Sequence, residues 1–251
     1  MVSADTRNEA LQALRPQGLR ALFHGDNAWC ADSMMLSCEM TDSMPLSEFL
    51  YGPLLTKTLH QCAAAYPDAD LRAVSSFWSL YYFSLLVIPY ICARQSGVAL
   101  PVELENMTIA INDQGLPRSF GLPHEGQACD APDVMTVISH VAKSHLNTVV
   151  QVLKDRTGIS PKLAWNNAAV YIDYAVNSAA ENHCRDGWPC RPLFETQIFD
   201  DGTRNPFFGC LRQETDHGAN LCRRKICCLR YKLPGVAGCG ELCALPELRK
   251  Q

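Results

Sequence analysis

Ala73-Val-Ser-Ser-Phe-Trp-Ser-Leu-Tyr-Tyr-Phe-Ser-Leu-Leu-Val-Ile-Pro-Tyr-Ile-Cys-Ala93 is a run of 21 residues without a charge, bounded by Arg72 and Arg94. That length is enough to span a bilayer. Ser75, Ser76, Ser79 and Ser84 dilute it, however, Pro89 interrupts it, and no second run of the kind exists. A helix apolar all round is also what the centre of a large soluble bundle requires, and that is the preferred reading. Peripheral membrane association is kept beside it.

Outward from this helix the pattern stays mostly helical. Ser47-Glu-Phe-Leu-Tyr starts a segment reaching about Ala65, and Pro67-Asp68 opens the apolar helix, with Asp68 and Asp70 as acids at its start. Asp130-Ala-Pro-Asp133 is a capped start for a helix carrying Val134, Val137, Ile138, Val141, His145, Val149 and Val152 to a stop at Thr157-Gly158. Ser160-Pro161 begins another that continues past Tyr174. Between them Val102 to Ile111 alternates, Asp113-Gln-Gly115 turns, and Leu116 to Leu122 returns, which predicts a hairpin. A second, short hairpin pairs Cys210 to Glu214 with Leu221 to Cys228. The fold class is α+β, helix-dominated: a single compact domain in which residues 1–209 form a mainly helical core and 210–251 a hairpin and cysteine-rich tail of the same structural unit.

The chain has 251 residues, 47% of them hydrophobic, so a sizeable core is available. A net charge of −4 and pI near 6.0 argue against nucleic acid as a partner, because phosphate binding needs clustered excess base. Residues 218 to 240 are the exception, with Arg223, Arg224, Lys225, Arg230 and Lys232 and no acid. No secretory signal is visible at the N-terminus, which implies a cytoplasmic protein. Thirteen cysteines in a reducing compartment do not form a disulfide framework; clustered ones suggest metal or redox chemistry.

The cluster is Cys227, Cys228, Cys239 and Cys243, set among those five bases. Four thiolates can hold a structural zinc or an iron-sulfur centre. Zinc pairs are usually two to four residues apart, whereas Cys227 and Cys228 are adjacent and point to opposite sides of an extended segment. Both can face one site only where the backbone twists or the site is broad, which favours a two-iron cluster over a single ion. Cationic neighbours favour the thiolate form and stabilise added negative charge.

Arg223-Arg224-x-x-Cys227-Cys228-x-Arg230-Tyr231-x-Leu233-Pro234, followed by Cys239, resembles the ending of the FhuF-type ferric-siderophore reductases. Leu163-Ala-Trp165-Asn-Asn167 is similar to that family's Trp-x-Asn signature, and Asp201-Gly-Thr-Arg-Asn205-Pro206 to the segment before its terminal hairpin. The resemblance implies a cytoplasmic oxidoreductase that passes an electron from a [2Fe-2S] cluster, ligated by Cys227, Cys228, Cys239 and Cys243, to Fe(III) in a hydroxamate-type siderophore. Hard hydroxamate oxygens suit Fe(III), so one electron unlocks the metal. The family has two residues between its last two ligands and this chain has three, which leaves Cys222 and Cys210 as substitutes for Cys243.

No Gly-x-Gly-x-x-Gly follows a strand, and Gly235-Val-Ala-Gly238-Cys-Gly240 has the wrong spacing, so an external ferredoxin or flavoprotein reductase is the expected donor. Trp165, Asn166 and Asn167 open a helix, where Asn is an ordinary cap and Trp an ordinary core residue; the alternative is that they meet the chelate. Arg223, Arg224 and Arg230 are further contacts for substrate or donor. Phe77, Trp78, Tyr81, Tyr82 and Phe83 read as core, His140 and His145 take ordinary roles, and His183, Cys184 and Cys190 bracket a turn. Two other readings remain from residue chemistry: an iron-sulfur redox sensor or electron carrier, and a zinc-stapled interaction module.

Overall fold

The uncharged run folds as one helix, and everything else is arranged around it. The computed structural model describes residues 18–129, 133–182, 191–216 and 219–249. In the first half of the chain lie α1 (Cys30–Ser33), β1 (Met34–Leu36), β2 (Ser43–Pro45), α2 (Leu46–Tyr51), α3 (Leu54–Ala63), α4 (Leu71–Gln95), β3 (Val98–Ala99), β4 (Thr108–Ile111) and β5 (Pro117–Leu122). Then come β6 (Gln127–Ala128), α5 (Val134–Val141), α6 (Asn147–Thr157), α7 (Pro161–Asn182), α8 (Arg191–Glu195), β7 (Leu211–Asp216) and β8 (Ala219–Arg224). The fold is α+β.

Asp70 caps α4 by accepting the Arg72 N–H at 2.9 Å, while Asp68 sits just outside in a left-handed turn, so of the two acids only Asp70 serves the helix start. By length and composition α4 is able to cross a membrane, yet 83% of its 18-residue apolar window is buried inside the protein. Its buried serines bond to the helix's own carbonyls: Ser75 Oγ donates to Leu71 O at 2.8 Å and Ser79 Oγ to Ser76 O at 2.7 Å. Trp78 lies 5.2 Å from Tyr82, and Tyr82 meets Phe120 edge-on at 4.9 Å. Burying each such ring contributes about 2 kcal/mol or more. Helix α7 makes the most extensive contact with α4.

Gly52 and Pro53 split the segment from Ser47 to Ala65 into α2 and α3. The first hairpin exists as β4 and β5, with Ile109 opposite Phe120, and it is the centre of a larger four-stranded sheet in the order β1-β5-β4-β2. β1 is parallel to β5 and β2 antiparallel to β4; each has three residues, too short to leave a periodic signal. The turn is built by Asn112, whose Oδ1 accepts the Gln114 and Leu116 N–H groups at 3.0 and 2.9 Å, and by Gly115. At φ +77° a Cβ on Gly115 would lie 2.6 Å from Thr58 O, so only glycine fits.

Asp133 caps α5, accepting from Met135 and Thr136 N–H at 2.8 and 3.1 Å; Asp130 lies outside the described residues. A π turn over Ala142–Leu146 joins α5 to α6 and carries His145 into the core, where it is 0% exposed. Its Nε2 is 2.6 Å from Tyr82 Oη and its Nδ1 2.9 Å from Val102 O. Desolvation lowers its pKa to about 4. Helix α6 ends on left-handed Gly158, whose N–H bonds Lys154 O at 2.8 Å. His183, Cys184 and Cys190 lie outside the described residues.

Buried Asn205 staples the loop ahead of β7: its Nδ2 donates to Leu193 O (2.7 Å) and Thr196 O (2.8 Å), and its Oδ1 accepts from Phe207 N–H (2.9 Å). The second hairpin pairs Leu211 with Arg224 through Asp216 with Ala219. It packs on α7, so the tail shares the helical core.

Candidate functional site

Beyond β8 the chain makes two compact loops over α4 and α7, and these carry the four cysteines. Leu229 adopts φ 61°, ψ 7°, a left-handed conformation directly after Cys227-Cys228. This is the backbone twist that adjacent cysteines need in order to share one site, and the two thiols influence each other, Cys227 being raised and Cys228 lowered by their pairing. Cys228 is buried, and its Sγ lies 2.9 Å from Cys239 Sγ. That exceeds a disulfide bond of about 2.05 Å and falls short of the roughly 3.8 Å that a tetrahedral metal with 2.3 Å sulfur bonds would impose. None of the described cysteines forms a disulfide.

Between Cys239 and Cys243 the extra residue is absorbed by a 3-10 turn, Gly240–Leu242, in which Cys243 N–H bonds Gly240 O at 3.0 Å. Cys243 is buried, and its sulfur bears electrostatically on Cys227. The substitutes face elsewhere. Cys210 is held at Pro206 O (3.5 Å), and burial pushes its thiol up to about 11. Cys222 faces Asp173, with burial and that carboxylate pushing it up to about 12.

Hydrogen bonds from Cys227 and Cys239, together with the Arg224 charge, hold Cys228 well below the usual thiol range; Cys227 and Cys239 are pushed up by the same pairing. A main-chain donor also reaches the sulfurs: Leu229 N–H lies 3.4 Å from Cys227 Sγ. Such donors stabilise anionic sulfur. Among the described residues no three His, Cys, Asp or Glu side chains converge tightly enough for a single metal ion. What recommends the site is the chemistry of its donors: four thiols carried on two neighbouring loops, with a main-chain N–H on one sulfur, are soft ligands of the kind that suit iron-sulfur centres and zinc.

A frame of polar side chains fixes these loops. Ser76 Oγ donates to Cys228 O at 2.6 Å, tying α4 to the loop. Asn167 Nδ2 donates to Ser76 O, Ser76 Oγ and Ser79 Oγ at 3.2, 3.0 and 3.0 Å, and its Oδ1 accepts from Arg224 Nη1 at 2.6 Å. Arg223 bonds Glu214 and reaches Glu241 through both its O and its Oε2 at 2.9 Å, which anchors the loop before Cys243. Arg249 Nε donates to Cys243 O at 3.1 Å. Arg230 lies 5.7 Å over Phe77 and donates to Gly238 O at 3.5 Å.

These placements revise the expected contacts. Asn166 and Asn167 are interior residues of α7, both 0% exposed, not caps and not surface donors. Asn166 holds Cys210 O. Trp165 is core, edge-on to Phe207 at 5.1 Å. Arg223 and Arg224 are 2% and 4% exposed, so they serve the loops from within; Arg230 is half-buried, and Lys225 and Lys232 are exposed. Sequence reasoning missed Ser76, Ser79 and Glu241. Serines in an otherwise apolar helix were the available signal, and they read as dilution.

A chain with this helical core and these motifs has an established class: it belongs to the family described as ferric iron reductase FhuF-like transporter, which matches residues 76–221. The match runs from Ser76 into β8 and ends at Leu221, before Arg223, Arg224 and the four cysteines. Among characterised proteins the chain is similar to the ferric siderophore reductase of Escherichia coli (strain K12), 26% identical over 187 residues, or 68% of this chain. It spans 65% of that relative's length.

Proposed function

We propose that this chain is a ferric-siderophore reductase, an oxidoreductase that delivers one electron to Fe(III) held by a hydroxamate-type chelate, so that Fe(II) leaves and the chelator survives. The observation that carries the reading is Cys228 Sγ at 2.9 Å from Cys239 Sγ, with the Leu229 N–H on Cys227 Sγ and Cys243 buried in the next loop, in a chain of this family. Cys227, Cys228, Cys239 and Cys243 would hold a [2Fe-2S] cluster. Such a group supplies a one-electron donor that needs no proton. The surrounding residues do the rest: Ser76 and Asn167 fix the Cys228 backbone, Arg223 and Arg249 fix Cys243, and α4 excludes water from beneath. The electron enters from an external ferredoxin or flavoprotein reductase, and the protein works in the cytoplasm, with peripheral contact at the inner membrane.

The test is a visible spectrum of anaerobically purified protein, repeated after chemical reduction and again after adding a ferric hydroxamate chelate. Sulfur-to-iron bands that bleach and then return support the proposal. Bands that bleach but do not return with the chelate would reduce the protein to an electron carrier or sensor. Colourless protein with stoichiometric zinc would make the cysteines a staple.

A further inference from the structure

Adjacent arginines on β8 are buried to almost the same degree and treated in opposite ways. Arg223 faces the carboxylates of Glu214 and Glu241. Arg224, 4% exposed, pairs with no Asp or Glu among the described residues; its Nη1 has Asn167 Oδ1 at 2.6 Å, and its buried Nε has no acceptor. A guanidinium cannot shed its proton, and burying one without an anion costs several kcal/mol. An anion is therefore expected against it; its charge bears on Cys228 and Cys239, and on Tyr171 as well, and of these Cys228 is the one to which its hydrogen-bonded link through Asn167 and Ser76 leads.

The partner residue is equally telling. Asn167 Nδ2 faces three acceptors, Ser76 O, Ser76 Oγ and Ser79 Oγ, which leaves only Oδ1 for Arg224. An amide at this position fixes the guanidinium without neutralising it, whereas a carboxylate would do both. Ser76 Oγ then reaches Cys228 O at 2.6 Å, so Arg224, Asn167, Ser76 and Cys228 form a continuous link.

Resting on the reading that the cysteines hold an iron-sulfur centre, we propose that Arg224 is that centre's internal counter-charge, positioned by Asn167 and Ser76, and that it raises the centre's reduction potential. One electron from an external reductant adds one negative charge; no proton is taken up by Arg224, which is already cationic. In surroundings of low dielectric that positive charge stabilises the added negative one far more than a solvated lysine does.

The experiment is an anaerobic redox titration, followed by visible absorbance, of the full chain and of R224K, R224M and K232M, with iron and sulfide measured per chain. R224M is expected to lower the one-electron reduction constant by about tenfold or more, 59 mV per factor of ten. R224K, which keeps the charge, and K232M, which removes an exposed one, are expected to stay within about threefold because water and salt screen surface charge. R224M with full iron and sulfide and an unchanged potential overturns the inference while the cluster reading stands. Wild-type protein without iron and sulfide overturns the cluster reading instead. If R224M fails to retain iron, Asn167→Asp decides: it neutralises Arg224 with both side chains in place, and an unchanged potential there overturns the inference.

Discussion

Around Tyr82, α4 buries a phenol and an imidazole that satisfy one another, with Tyr82 Oη on His145 Nε2 and Val102 O on Nδ1. Less than two turns earlier, around Ser76, the same helix helps bury hydroxyls, an amide and a guanidinium whose charge has no carboxylate and whose Nε has no acceptor. The first cluster is closed: every polar atom named has its partner, and neutrality is kept by lowering the His145 pKa. The second is left open at Arg224. Closed polar clusters specify how a core packs, whereas an open one signals a group that the protein is built to receive. A π turn often marks function. Here its effect is to deliver His145 to the closed cluster.

The largest expected effect breaks the open cluster at its sulfur. Cys228→Ser should cut iron and sulfide per chain by more than about tenfold, since even outer-shell changes cost that much metal affinity. The far-ultraviolet dichroism should be unchanged, and full iron retention would count against the ligand assignment. The closed cluster is tested next by pH. The folded pKa of His145, about 4, lies below the usual value of 6.5, so the unfolded chain binds the extra proton. Stability is therefore fully present above pH 6.5 and falls as pH drops toward 4, by about 3 kcal/mol in all. Urea midpoints from pH 4 to 8 should show this, and His145→Gln should remove that part of the slope; equal slopes would mean that His145 is not held neutral.

Asn167→Ala leaves Arg224, Ser76 and Ser79 short of partners and should cost about 2 kcal/mol in denaturant unfolding. A loss under half of that would mean that the open cluster does not brace the core. The smallest change lies outside both clusters: Asp133→Ala removes the α5 cap and should cost about 1 kcal/mol with iron content unaltered.

Much of the fold is legible because its elements are long or strongly patterned. α4, α7 and both hairpins follow from charge-free length, proline starts and turn residues. β1 and β2 are not legible, because three residues carry no period and their pairing with β5 and β4 is set by distant contacts. At the site, the cysteines and bases stand out in the sequence, but the direction of each side chain does not. Asn167 and Arg224 look like surface donors until α7 and β8 bury them, since polarity alone does not say which polar residues are folded inward. The role of Ser76 depends on a carbonyl 152 positions away, which no local pattern encodes.

That 152-residue reach also orders the protein's biogenesis. Synthesis runs from the N-terminus, so α4 and then α7 leave the ribosome before any of the four thiols, and early-emerging regions fold first. The seat provided by Ser76 and Asn167 is thus made ahead of what it must receive. Contacts of such sequence separation form slowly, so on the proposed reading a thiolate-bound group would be received in one interval: after the core has collapsed, and before the last loops close over Cys228.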